Sequence, residues 1–241
     1  MERNLAFGDI WVYLAASPLL HLTLTLLAYI LADWVFRRSG RMALLNPVLL
    51  SIVLLVTILG ATGTDYPTYF AGAQFVHFML GPATVALAVP LFRNLHRIRK
   101  LWFPILVSIG TGVFVSASSG LLVAYWLGAS RQTLISLAPK SVTAPVAMGI
   151  SEKVGGLPSL SAALVVLTGV LGAVIGSAVL ASVRVKDDRA RGLALGATSH
   201  GIGTARAFQL SDTAGAFSAL AMGLTALISA FVLPFVLRWP F

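Results

Sequence analysis

The chain has 241 residues, 58% of them hydrophobic and only 10% charged, and a mean hydropathy of +0.91; this is too apolar for a water-soluble globular domain and marks a polytopic membrane protein. The net charge of +9 does not signal nucleic acid, because the Lys and Arg residues fall mainly in short loops between apolar runs, where they set membrane orientation. With no cysteine, disulfides, thiolate metal sites and cysteine nucleophiles are all excluded.

A membrane-crossing helix needs about 20 apolar residues. The first run, Ile10–Phe36, is too long for the core of a signal peptide, lacks a clear small-residue cleavage site, and is followed by Arg37, Arg38 and Arg41. It reads as a retained span with a cytoplasmic end. Further spans are expected at Leu44–Gly63, Tyr69–Phe92, Leu101–Leu127, Pro158–Val183 and Ala214–Leu237, six in all. Trp11, Tyr13, Trp34, Trp102, Tyr125, Trp126 and Trp239 flank them, as interfacial aromatic belts would. Three basic clusters, Arg37/Arg38/Arg41, Arg93/Arg97/Arg99/Lys100 and Arg184/Lys186/Arg189/Arg191, hold most of the 17 Lys and Arg residues. All three are placed on the cytoplasmic side, which puts the N-terminus outside. Asp33, four residues before Arg37, is expected to pair with it at a helix end, and Asp65 and Asp212 read as loop or cap residues.

That orientation imposes a parity condition on Gln132–Ile150. The segment begins outside, and the next strong helix must also begin outside to finish at Arg184–Arg191. An even number of crossings must therefore fit into one short stretch, which predicts a re-entrant hairpin bent near Pro139 to Pro145. Gly192–Leu210, broken by Gly196, Gly201 and Gly203, has the same character from the cytoplasmic side. If it re-enters, the C-terminus lies outside; if it spans, the C-terminus and Arg238 lie inside. The sequence leaves both open.

Pro82-Ala83-Thr84-Val85-Ala86 echoes Pro139-Lys140-Ser141-Val142-Thr143, displaced by 57 positions, and each is followed by a Pro-initiated apolar helix, at Pro104 and Pro158. Paired interrupted segments in two halves point to a transporter site near the bilayer midplane. The expected architecture is thus an all-α integral membrane fold of about six full spans and two broken or re-entrant segments, pseudo-symmetric as an inverted repeat. Residues 1–43 would be an N-terminal helix and basic loop, 44–127 a first repeat-like half and 128–241 a second, forming one membrane domain.

The polar residues in the broken segments are the candidate binding site. A Lys at membrane depth costs about 2.5 to 3.5 kcal/mol on insertion scales, so Lys140 needs partners or water. It would attract an anion beside the Ser141 and Thr143 hydroxyls, or else snorkel to the surface. Ser199, His200 and Thr204 offer hydrogen bonds, Gly201 and Gly203 allow close backbone approach, and Arg206 is a fork suited to a carboxylate. His200 could equally be a packing histidine, and Arg206 an interfacial anchor. Thr84 would line the same cavity from the Tyr69–Phe92 helix. Gly169, Gly172 and Gly176 are expected to permit close helix packing.

No enzyme is expected. Lys140 and Ser141 are adjacent, so on a helix they point in different directions and do not form a dyad. There is no G-x-S-x-G, HExxH, P-loop or GxGxxG motif, and no cofactor or metal is expected.

The blocks Asn46-Pro47, Leu80–Leu91 (LGPATVALAVPL), Leu137–Met148 (LAPKSVTAPVAM), Ile150–Lys153 with Gly156–Leu160, Ser199–Ala207 (SHGIGTARA) and Gly215–Leu224 (GAFSALAMGL) resemble the LrgB/CidB family of bacterial membrane proteins. The resemblance runs from the second helix nearly to the C-terminus. It implies a multi-pass protein of the bacterial cytoplasmic (inner) membrane that works with a smaller LrgA/CidA-type membrane partner, and it leaves room for a homo-oligomer. The family is labelled antiholin-like, a modulator of murein hydrolase export. Related members, including a plastidial glycolate/glycerate translocator, are linked to glycolate, glycerate, pyruvate or lactate. The resemblance therefore implies carriage of small monocarboxylates by alternating access, the alternative being holin/antiholin-like modulation of autolysis. The chain departs from the family at Ala144, often Thr, and at Thr225-Ala226, where Asn-Gly is frequent.

Overall fold

The computed structural model describes residues 17–40, 42 and 45–237. Trp11, Tyr13, Arg41, Arg238, Trp239, and the expected start of the first span at Ile10 lie outside them. The described residues are all-helical, in two compact units that meet between Ala86 and Leu87.

The first unit holds α1 (Pro18–Arg38), α2 (Pro47–Thr62), α3 (Tyr66–Phe78) and α4 (Leu80–Ala86). Pro at the first helical position and the Asn46 side-chain Oδ1, accepting from the amides of Val48 and Leu49, start α2; Gly63, in the left-handed conformation, ends it. α1 packs against both α2 and α3. His21 is buried there, edge-on to Tyr69 at 5.9 Å, and Thr25 shares a 3.0 Å hydrogen bond with the Tyr69 hydroxyl. The expected ion pair forms at the exposed end of α1, with Arg37 Nε 2.8 Å from the Asp33 carboxylate.

The second unit holds α5 (Ala88–Arg93), α6 (Leu95–Lys100), α7 (Trp102–Trp126), α8 (Arg131–Leu137), α9 (Ala144–Val154), α10 (Pro158–Ser182), α11 (Asp188–Leu210) and α12 (Asp212–Val236). Its three long helices, α7, α10 and α12, have 25 residues each, about 37 Å, enough to cross a bilayer. Their outward faces are apolar, with Phe114, Leu122, Leu167, Leu171, Phe231 and Phe235 all exposed. Such a surface requires lipid, and the protein is a multi-pass membrane protein.

By length and composition five stretches are apolar and long enough to cross: 18–38, 66–93, 102–126, 158–182 and 212–236. The expected second span falls short, since α2 has 16 residues, about 24 Å. The expected third span is divided among α3, α4 and α5. The proposed echo is not matched locally either: Pro82–Ala86 is helical whereas Pro139–Thr143 forms turns.

α8 and α9 form the hairpin expected from the parity condition. At 7 and 11 residues, about 10 and 16 Å, neither can cross. Ser130 caps α8 by accepting from the Thr133 amide, and Gly155, at φ 83°, ends α9. The bend occupies 138–143, with Pro139 fully buried, while Pro145 opens α9. Serines bind the base of this hairpin to α10: Ser136 Oγ accepts from the Leu157 amide at 2.8 Å, its carbonyl accepts from Ser161 Oγ at 2.8 Å, and Ser151 shares a short hydroxyl bond with Ser161.

α11 folds back on itself as a second hairpin. A continuous helix over its 23 residues would separate its ends by about 34 Å. Instead Ser211 Oγ donates to the Asp188 carboxylate at 2.7 Å, so the ends meet. The turn lies at Ser199 (φ −128°, ψ 15°) and His200 (φ 43°, ψ −130°), not at the glycines. The returning limb packs on the outgoing one, with Ala207 against Leu195 and Ala214.

Candidate functional site

Contacts along α10 and α12 show that the two hairpins enter the unit from opposite ends and bring their bends toward one level. On α10, Ser161 binds Ser136 of α8 and Ser151 of α9. Val165 touches the bend between those helices at Val142 and also accepts, through its carbonyl, a 2.9 Å hydrogen bond from His200 Nε2. Farther along, Gly169, Gly172 and Gly176 face His200, Ser199 and Leu195. On α12 the order is reversed. Ala214 and Ser218 face Gly192 and Gly196 of the α11 hairpin, Met222 reaches its turn at Thr204, Thr225 and Ser229 meet the other bend at Pro139 and Ser141, and Leu233 and Leu237 pack on Ala138 and Ile150. The bends therefore converge near the middle of both long helices.

This arrangement explains the glycine stripe. A Cβ on Gly169 would lie 2.6 Å from the His200 ring, and one on Gly172 would strike the Ser199 hydroxyl. Gly192 and Gly196 bring α11 against the α12 backbone at the carbonyls of Ala214 and Ser218. Gly203 lies against the Leu195 carbonyl, whereas Gly201 is exposed and has open space beyond it, its nearest neighbour being Met222 Sδ at 4.0 Å. Within the protein, Gly203 is thus a close-packing position and Gly201 is not.

His200, Ser199 and Thr204 are buried together. A carbonyl only accepts, so His200 Nε2 carries the proton in its bond to Val165. Gly169 clears the way for the ring to reach that carbonyl. Thr204 Oγ1 donates to the His200 carbonyl at 2.8 Å and meets Ser218 Oγ at 3.0 Å, satisfying a backbone acceptor that the turn frees. Ser199 shares a 3.1 Å hydrogen bond with Thr198.

At the other bend, Ser141 is buried and shares a 2.8 Å hydrogen bond with Ser116 of α7. Thr143 precedes α9 as its N-cap residue without bonding an amide through its side chain. Lys140 is half-buried over Gly120 of α7, where a Cβ would lie 3.2 Å from Lys140 Cε and closer still to the ammonium. Among the described residues, no hydrogen bond or ion pair satisfies that ammonium. Arg206 stands elsewhere: its Nε reaches Ser177 Oγ at 3.4 Å and Nη1 donates to Gln209 at 2.9 Å. Ser177 is 12 residues beyond Val165 on α10, about 18 Å, so Arg206 belongs to the limb returning toward the base of its hairpin. Thr84 is on α4, in the other unit.

The helix ends reinforce this electrostatic picture. α9 and the limb 201–210 begin at the bends and direct free amides there, while α8 and the limb 188–198 end there and direct carbonyls. At the base of the second hairpin, Arg189 hydrogen-bonds and pairs with Asp187, the N-cap residue of α11, and holds its carboxyl down at about 2. That lowered value means the contact contributes fully above the ordinary carboxylate range and fades as pH falls toward 2.

Sequence reasoning missed Ser116, Gly120 and Ser229. It noted Thr225 only as a departure from a family pattern.

The sequence profile of the LrgB-like family matches residues 25–239. The chain belongs to that family. It is 37% identical over 218 residues to the uncharacterized protein YwbG of Bacillus subtilis, covering 90% of this chain and 96% of that protein. It is 35% identical over 191 residues to the holin-like protein CidB of Staphylococcus epidermidis, covering 79% and 83%. It is 28% identical over 218 residues to the antiholin-like protein LrgB of Bacillus cereus, covering 90% and 95%. No solved structure matches the chain.

Proposed function

We propose that this LrgB-like protein carries a small monocarboxylate across the bacterial cytoplasmic membrane by alternating access, the 2-hydroxy and 2-oxo acids glycolate, glycerate, lactate and pyruvate being the expected class. The observation that carries this reading is the convergence of two opposed hairpins at the middle of α10 and α12, with a half-buried Lys140 at one bend whose ammonium pairs with no described residue. Half-helix amides and a partly buried cation make a seat for an anion that a plain bundle would lack. Lys140 supplies the field, Ser141 and Thr143 the hydroxyls, and Ser199, His200 and Thr204 shape the facing bend, with Gly201 and Gly203 at its backbone. Arg206, placed farther out, acts on the approaching carboxylate instead of gripping it beside Lys140. With 184–191 on the cytoplasmic side and 188–210 re-entering from it, the 212–236 crossing assigns the C-terminus to the outside.

The names of two relatives, holin-like and antiholin-like, favour a second reading, modulation of murein hydrolase export and autolysis with an LrgA/CidA-type partner or a second copy of this chain. Neither of these two names speaks of a carboxylate. An open apolar groove of about 720 Å³ between α7 and α12, lined by Gly110, Phe114, Ala117, Leu121, Val232 and Val236 among others, offers a partner helix a place to pack.

Uptake of labelled pyruvate, lactate and glycolate into proteoliposomes, with and without such a partner, separates the readings. The carrier reading predicts saturable uptake, at least tenfold reduced by Lys140→Ala in protein that still inserts. Unselective leakage indifferent to Lys140, alongside a lysis phenotype unchanged by the substitution, supports the modulator.

A further inference from the structure

Between α7, the 138–143 bend and α12 lies a cavity with about 10 Å³ of space for a water-sized centre, enough for one water or one bare cation. Four hydroxyl residues line it: Ser116, Ser141, Thr225 and Ser229. Thr225 is 1% exposed and, among the described residues, its Oγ1 has no hydrogen-bond partner. The helical hydroxyls of Thr25, Thr168 and Thr204, likewise out of bulk water, satisfy themselves on the carbonyl four residues back. Thr225 forgoes that bond on a helix where it is available. Ser229, also buried, has no hydrogen bond to a described residue. Ala138 and Pro139, just after α8, and the apolar side chains of Val113, Ala117, Val142 and Leu233 make up the rest of the lining.

We infer that this cavity is a binding site for a monovalent cation, with Na⁺ the expected occupant. Every polar side chain in the lining is a neutral oxygen donor, and the buried Thr225 hydroxyl lacks a partner among the described residues, the combination that suits a hard, singly charged ion. No carboxylate lines the cavity, and the described residues hold no acidic or His cluster fit for a divalent ion. The cation supplies the partner that Thr225 Oγ1 lacks and ties α12 to α7 through the bend. Lys140, next to Ser141 in the chain, repels such an ion, so an anion near Lys140 makes its binding more favourable. Cation and anion occupancy are then mutually reinforcing, the reciprocal coupling a symporter requires. The site itself rests on the cavity and not on the carrier reading.

Thermal unfolding of the purified full chain in detergent tests this at constant ionic strength, with choline chloride replaced stepwise by NaCl or KCl. The wild type is expected to gain about 3 °C or more, saturably, in Na⁺. The isosteric Thr225→Val should abolish the gain, and Ser229→Ala should reduce it, giving a second reading if Thr225→Val does not fold. No gain in the wild type, or an equal gain in wild type and both variants, overturns the proposal and leaves the cavity to one ordered water. Because the measurement involves no flux, it stands or falls separately from carboxylate transport.

Discussion

His200 occupies backbone space that a side chain adopts at a cost of about 1–3 kcal/mol, with φ at 43°, and Gly201, which would fit there without strain, is the next residue. What holds His200 in place is its ring: the bond to the Val165 carbonyl and the room left by Gly169. His200→Gly should therefore lose the ring contact but relieve the backbone, while His200→Ala loses the contact and keeps the strain. Thermal unfolding is expected to rank wild type above His200→Gly and His200→Ala lowest, the two variants about 1 kcal/mol apart. Part of this was legible in the sequence, since a polar Ser-His-Gly run inside an apolar chain stands out. Ser116, Thr225 and Ser229 were not, because a lone hydroxyl on an apolar helix ordinarily bonds its own backbone; only their meeting around one cavity sets them apart.

At the scale of elements, the fold depends on how closely α11 approaches α10 and α12. Gly196→Ala places a methyl against the Ser218 carbonyl of α12, backbone that cannot yield without moving the helix. Gly201→Ala adds the same methyl into open space. The first should destabilise by about 2 kcal/mol, and the second should be neutral or stabilise by under about 1 kcal/mol. Equal effects in denaturation would contradict the packing described. The sequence revealed that these glycines sit in a broken segment, but glycine fits a bend and a close contact equally well. The break itself falls on Ser199 and His200, because the glycines along the limbs are used for contact. For α8–α9 the sequence did better, since the charge clusters on either side demanded an even number of crossings, and Pro139 and Pro145 marked where the chain turns.

For the whole molecule, topology depends on whether 188–210 crosses or returns. Five crossing-length stretches and two hairpins give a different sidedness for the C-terminus than a chain in which α11 spans, and the opposed hairpins on which the proposed site rests exist only if it returns. Hydropathy could not decide this, because a polar, glycine-rich segment of 23 residues is long enough to cross yet too polar to face lipid. The natural absence of cysteine makes the question directly accessible. Asp188→Cys combined with Ser211→Cys, in membranes under mild oxidation, should form an intramolecular disulfide efficiently, and both positions should react with a membrane-impermeant maleimide from the same side. A pair that fails to cross-link and labels from opposite faces, as a straight helix of about 34 Å would require, would contradict the account.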